Sequence, residues 1–326
     1  MNMNMNLRNC EYVNYVINTE YVVCDSEMRS VSSKYRINKN KDYYFEVGTT
    51  GIGDRMGQIL TICTFGKCFE LNTSIVLIWR NSSHRHYDLD TIKRYISFPS
   101  NCIITEDESL MENRDPLYLY SNVKTVGHSY DLIPEPSYKL LLENYELETH
   151  ISFEDYLTMY INTSSELSIS DSILMGNKLP VDEYKCVHVR RDDKLLWREQ
   201  PFIPPILIQQ INNEEDTIFL FISDDIVPEY ITNKKNCGVF TSSTFTNIEN
   251  VILDLYLLVN SKEIISVIYQ DGWSSFSYVA SRTKNIKLVS YVPPNSRYHN
   301  ICKRVEQNEL YNWDIIYIDW SDIYNL

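Results

Sequence analysis

Tyr184-Lys185-Cys186-Val187-His188-Val189-Arg190-Arg191-Asp192-Asp193-Lys194 is the stretch on which the reading of this chain turns. Its first half is short and rich in small or β-branched residues, the mark of a buried strand. Its second half crowds three cations and two carboxylates at the strand's carboxyl end. In open α/β sheets that end is where ligands bind. The guanidinium of an arginine is a flat fork of donors that matches phosphate oxygens, so an anionic ligand is one reading. A solvated charged turn, with Arg190, Arg191, Asp192 and Asp193 pairing among themselves, is the other.

Working outward, the same strand-then-polar-turn unit repeats. Strand 217–222 leads into Ser223-Asp224-Asp225, strand 263–268 into Asp271-Gly272-Trp273-Ser274-Ser275-Phe276-Ser277, and strand 286–292 closes the series. Helices are expected between them at 206–211, 248–260 and 278–283. Alternating strands and helices predict a parallel sheet wound on both faces, with polar turns along one edge. A carboxylate after a strand can accept from ribose hydroxyls or a base edge, hold a metal, or simply cap the next helix. Ser274 and Ser275 open a helix, where hydroxyls and free N–H groups suit phosphate but also serve as plain caps.

Upstream, strand 43–47 runs into Gly48-Thr49-Thr50-Gly51-Ile52-Gly53-Asp54-Arg55-Met56-Gly57. Four of the chain's nine glycines lie in these ten positions. Helix 58–71 follows. Strand, glycine loop and helix is an arrangement that turns backbone N–H groups toward an anion, or that merely allows close helix–strand packing. No Gly-Lys-Ser/Thr follows, so it is not a nucleoside-triphosphate loop. The spacing Gly51-x-Gly53-x-x-x-Gly57 is one residue too long for the dinucleotide fingerprint. Further strands are expected at 74–79 and 102–105, and helices at 88–96, 138–147 and 152–161. Ser152 with Asp155 forms the sequence of a capping box.

Composition narrows the classes. The chain has 326 residues, 44% hydrophobic and 23% charged, with a formal charge of −14. Two domains are the better expectation at that length. The negative charge argues against a broad nucleic-acid or anionic-membrane surface. No apolar run is long enough to span a bilayer, and residues 1–8 lack a secretory core, so a cytoplasmic location is expected. The eight cysteines contain no Cys-x-x-Cys pair, and His84 and His86 have no acidic or cysteine partner nearby. No metal site is expected.

At this point a family is visible. His188-Val189-Arg190-Arg191-Asp192-Asp193-Lys194 resembles the His-x-Arg-Arg-x-Asp motif of the α1,2/α1,6/protein-O-fucosyltransferase superfamily, and its form is closest to the α1,6 enzymes. Phe221-Ile222-Ser223-Asp224-Asp225 is similar to their Ser/Thr-Asp-Asp stretch. Residues 254–258 through Trp273-Ser274-Ser275-Phe276-Ser277 look like their third motif. Gly51-Ile52-Gly53-Asp54-Arg55 is similar to their Gly-x-Gly-Asn/Asp loop. Residues 80–165 show no such likeness.

The resemblance implies a GT-B fold: two Rossmann-like domains with a cleft between them. With the polar, turn-rich stretch 164–182 as linker, the chain is expected to divide into residues 1–178, holding glycine loop 48–57 and facing the acceptor, and residues 179–293, binding the nucleotide sugar. The tail, 294–326, is expected to pack back on the first domain. The resemblance also implies GDP-fucose as donor, a glycan acceptor, inversion at the anomeric carbon and no required metal or cofactor. Carried onto this sequence, Arg190 meets the donor pyrophosphate with Arg191 beside it. Asp224 or Asp225 meets the nucleoside, His188 orients the ribose or guanine side, and Ser274, Ser275 and Phe276 hold phosphate and stack near the base. Gly51, Gly53, Asp54 and Arg55 close from the other side. The general base of the α1,6 enzymes falls nearest Glu199, one position out of register, with Asp193 as the alternative. Asp54 stands where many relatives have Asn. Three rivals remain: a GT-B transferase using another nucleotide sugar, a nucleotide- or sugar-binding protein without turnover, and a transferase clamping a metal with Ser223-Asp224-Asp225.

Overall fold

The computed structural model describes residues 35–48, 51–81, 87–113, 134–175, 179, 181, 183–190, 202–240, 247–267, 274–292, 306–308 and 313–318. Strands β1 (Tyr43–Val47), β2 (Ile75–Trp79) and β3 (Cys102–Thr105) form a three-stranded parallel sheet in that order. A parallel neighbour needs a crossover, and helix α1 (Ile52–Cys68) supplies it between β1 and β2. Fifteen of the seventeen residues of α1 are buried, so the helix is covered on every side rather than along one stripe. Helices α2 (Leu89–Tyr95), α3 (Pro134–Asn144) and α4 (Phe153–Glu166) complete this half. Asp88 caps α2 through the Thr91 amide, at 2.8 Å. Ser152 and Asp155 close the capping box of α4 in both directions, at 3.1 and 3.2 Å. Two short ladders, Tyr35–Arg36 with Tyr145–Glu146 and Ile96–Ser97 with Ser168–Ile169, tie its margins.

The second half contains β4 (Lys185–Val189), helix α5 (Pro205–Asn213), β5 (Phe219–Ser223), helix α6 (Glu229–Thr232), β6 (Cys237–Val239), helix α7 (Asn247–Val259), β7 (Glu263–Val267), helix α8 (Ser275–Thr283) and β8 (Lys287–Val292). Their order across the sheet is β6-β5-β4-β7-β8, all parallel. The chain therefore builds outward from β4 on one side, then returns to build outward from β7 on the other. The seam between β4 and β7 is the topological switch point, the position beside which open α/β sheets bind their ligands. His188 lies opposite Ser266 across that seam.

Successive strand residues face opposite layers. Cys186, Leu220, Ile264 and Leu288 join α7, α8 and the first half in one apolar cluster. Val187, Val189, Phe221, Ile265 and Tyr291 pack with Leu207 and Ile211 of α5 in a second. Sequences buried on both faces read as unbroken apolar runs, as these strands do.

The tail departs from expectation. Strands β9 (Glu306–Asn308) and β10 (Trp313–Ile318) extend the second sheet, with β10 antiparallel to β8 and β9 antiparallel to β10. The reason is an edge: β8 ends the parallel series with a row of unpaired backbone groups, and β10 satisfies them. The residues of the tail that are described thus belong to the second half, not the first.

Candidate active site

Helix α8 is the part on which the site is built. Its amino terminus stands after β7, at the switch point. Ser274 is the cap, its Oγ accepting the Ser277 amide at 3.4 Å. From the opposite half, the first turn of α1 comes directly against it. A Cβ added to Gly53 would lie 2.6 Å from the Phe276 nitrogen, 2.7 Å from its Cα and 2.9 Å from the Ser275 carbonyl carbon. Gly53 is helical, so its glycine serves space rather than an unusual backbone angle. The glycine loop itself is braced: Gln58 Oε1 accepts the Gly48 amide at 2.8 Å, in a buried bond.

His188 fixes the other wall. Its Nδ1 is 2.7 Å from Ser277 Oγ and 3.2 Å from Ser274 Oγ, and its ring lies 5.6 Å from that of Phe276. The imidazole is 8% exposed. Burial, aided by the nearby Arg190 cation, pushes its pKa down to about 3, so the ring is neutral at ordinary pH. Arg190 follows directly after the last residue of β4 and is half-buried.

The aspartates after β5 divide in exposure. Asp224 is exposed and Asp225 half-buried. Asp225 Oδ1 accepts the Ile226 amide at 2.8 Å, and its own amide donates to Ser223 Oγ at 3.1 Å. Asp224 acts on a residue of the 254–258 stretch that had no expected role. This is Asp254, on α7, whose pKa burial first and then the Asp224 charge raise to about 7. A single acidic residue inside the apolar run 251–259 was the signal for it: a carboxylate is rarely placed there for packing.

The remaining expected residues separate as follows. Gly51 caps α1, and Asp54 sits half-buried in its first turn. Ser275 and Phe276 are half-buried at the start of α8. Arg55 goes elsewhere. It is fully buried, its guanidinium 4.4 Å from the Trp79 ring and 5.1 Å from the Tyr87 ring, with Asn81 Oδ1 at 3.4 Å. Stacked between aromatic rings, it braces the first half from within. Arg191, Asp193 and Glu199 lie outside the described residues. So the structure brings together Gly53, His188, Ser274, Ser275 and Phe276, with Arg190 at the end of the same strand. Among the described residues no helix is long and apolar enough to cross a membrane.

The two shifted groups oppose each other in their effect on stability. His188 has a lowered pKa in the fold, so the stability tied to its neutral form is present above about 6.5 and is lost as pH falls toward 3. Asp254 has a raised pKa, so the stability tied to its protonated form is present below 3.8 and is lost as pH rises through about 7. Asp254→Asn removes the second effect alone. It is expected to stabilise the protein at pH 8 by on the order of 3 kcal/mol and to change little at pH 4. Urea unfolding midpoints across that range measure it; a difference that does not vary with pH would exclude Asp254 as the raised carboxyl.

The sequence matches no protein-family model and no curated protein. Solved structures do resemble it. NodZ α-1,6-fucosyltransferase, from crystals soaked with GDP-fucose, superposes with a TM-score of 0.50 over 86% of this chain and 99% of that one, at 11% identity. Fucosyltransferase NodZ from Bradyrhizobium gives 0.47 over 77% and 96%, at 12% identity. A mutant of Arabidopsis thaliana FUT1 in complex with GDP gives 0.41 over 78% and 71%, at 13% identity. At these identities the first likeness speaks to fold. The architecture is GT-B, as the sequence motifs led one to expect.

Proposed function

We propose that this protein is an inverting glycosyltransferase that moves fucose from GDP-fucose to a hydroxyl of a glycan. One observation supports this reading above the rest: Gly53 approaches the Ser275–Phe276 backbone so closely that the first turns of α1 and α8 lie directly against each other. That contact adjoins the switch point, where open α/β sheets bind ligands, beside His188 and close to Arg190. A diphosphate fits such a place, because helix-terminal N–H groups and a guanidinium converge on it.

In this reading the donor diphosphate lies between Arg190 and the amino terminus of α8. As the anomeric bond breaks, negative charge grows on the leaving diphosphate, and donors already in place stabilise that charge without reorganising. Arg191 adds a second cation. Asp224 and Asp225 offer carboxylate acceptors to ribose hydroxyls and to the N1–H and amino group of guanine, an edge that uracil does not present. The acceptor hydroxyl enters from the side of the first half. Glu199, or Asp193, takes its proton as the new bond forms on the opposite face of the sugar. The arginines supply the positive charge that a metal would otherwise provide, so turnover is expected to persist in excess chelator.

The test is a thermal-shift series with GDP, UDP, GDP-fucose and UDP-sugars, followed by a GDP-release assay with and without glycans. GDP and GDP-fucose are expected to raise the melting temperature and UDP to leave it unchanged, because only N-state binding stabilises. A preference for UDP-sugars would replace the donor assignment while keeping the transferase. Nucleotide binding without acceptor-dependent GDP release, across a broad glycan panel, would make it a binding protein. Loss of turnover in chelator would bring Ser223-Asp224-Asp225 forward as a metal clamp.

A further inference from the structure

Ser277 belongs to none of the roles given so far, yet it is the closest polar neighbour of His188. It is fully buried, in the first turn of α8, and its Oγ lies 2.7 Å from His188 Nδ1. Ser274 Oγ is the second neighbour of the same nitrogen, at 3.2 Å, and already accepts the Ser277 amide as the helix cap. Two hydroxyl groups therefore converge on one ring nitrogen. Each hydroxyl has a proton to place, and a buried hydroxyl proton without an acceptor is costly. A lone pair on Nδ1 takes the Ser277 proton at 2.7 Å. An N–H there would serve as a third donor among groups that already need acceptors.

We propose that Ser277 is the positioning residue of His188: its hydroxyl donates to Nδ1, fixes the imidazole in the Nε2–H tautomer, and makes His188 a neutral donor to an oxygen of the bound nucleotide. Among the described residues Nε2 has no hydrogen-bond partner. The orienting contact of one ring nitrogen decides what the other can do. Phe276, 5.6 Å away, limits ring rotation from the side. The ring is kept from becoming a cation by burial and by Arg190. A neutral N–H is a directional donor that does not compete with Arg190 for the diphosphate charge. The nucleotide as ligand rests on the function proposed above; the tautomer does not.

The experiment is nitrogen NMR on protein carrying 15N-labelled histidine. The chain has six histidines, and His188→Gln identifies the signals of interest by their loss. Wild-type His188 is expected to show an unprotonated Nδ1 and a protonated Nε2 from pH 6 to 8. Ser277→Ala is expected to mix the tautomers and to weaken GDP about tenfold, the effect of one oriented hydrogen bond. Ser277→Thr keeps a hydroxyl and is expected to restore both. A wild-type spectrum with protonated Nδ1 overturns the proposal without recourse to any variant. An unchanged tautomer in Ser277→Ala overturns it too. A tautomer that shifts while GDP affinity stays put overturns the link to the nucleotide. If wild type binds no guanine nucleotide but has the expected tautomer, the donor assignment fails and the positioning by Ser277 stands.

Discussion

Gly53→Ala is expected to abolish nucleotide binding and to lower turnover at least hundredfold, with a melting temperature several degrees below wild type. The added Cβ would fall within 3 Å of three backbone atoms of Ser275 and Phe276. A side chain can swing away from such a contact; a helix terminus can only move bodily. Over-packing of this kind costs about 1–3 kcal/mol. The larger consequence is geometric. Moving the start of α8 shifts Ser274 and Ser277, and with them the two hydroxyls that hold His188. A displacement of roughly 1 Å in a catalytic arrangement costs about 10²-fold in rate. Gly238→Ala is the control: among the described residues its Cβ would meet only the Leu220 Cδ2, at 3.3 Å, which a rotamer change relieves. Calorimetric titration with GDP, beside thermal unfolding, separates the two effects. If Gly53→Ala binds GDP as wild type does, the close approach of α1 to α8 is not what assembles the crevice.

Arg190→Ala is expected to lower turnover by about 10²–10³, the scale seen when one donor to a developing oxyanion is removed. On the proposed function most of the loss should fall on kcat, because a guanidinium beside the diphosphate would matter most when charge has moved onto the leaving group. Arg190→Lys keeps the charge but loses the planar fork, so it should recover only part of the rate. Asp193→Asn and Glu199→Gln belong in the same assay. The variant that loses turnover while binding GDP normally identifies the base. Full turnover in Glu199→Gln removes that residue from the mechanism and leaves Asp193. Full turnover in Arg190→Ala would remove the arginine from the chemistry altogether.

Much of this arrangement was readable in advance, for identifiable reasons. Strand β4 and its neighbours were legible because strands buried on both faces are written as continuous apolar runs, interrupted where polar turns begin. The caps at Asp88, Ser152 and Ser274 were legible because a cap is a local contract between a side chain and an amide three residues on. Arg55 misled, because nothing local distinguishes an arginine that faces a ligand from one that stacks between Trp79 and Tyr87. Those partners come from beyond the loop. Asp254 went without a role for the same reason: its neighbour Asp224 is thirty residues away in sequence. The tail misled because Trp313–Ile318, aromatic and acidic in its surroundings, gives no sign of which edge it will pair with. Register with β8 is a property of the assembled sheet.

The apolar cluster that joins the two halves has a mechanical consequence. It runs unbroken from Tyr43 and Ile59 through Tyr156 and Tyr160 to Leu253, Val279 and Leu288. Domains that meet through polar surfaces swing freely, whereas a shared hydrophobic interior resists being pulled apart. Helix α8 packs on both α1 and α4, so it cannot act as a loose flap of either half. Whatever binds beside α8 therefore meets walls that are already clamped together, like the jaws of a vice set to its gauge.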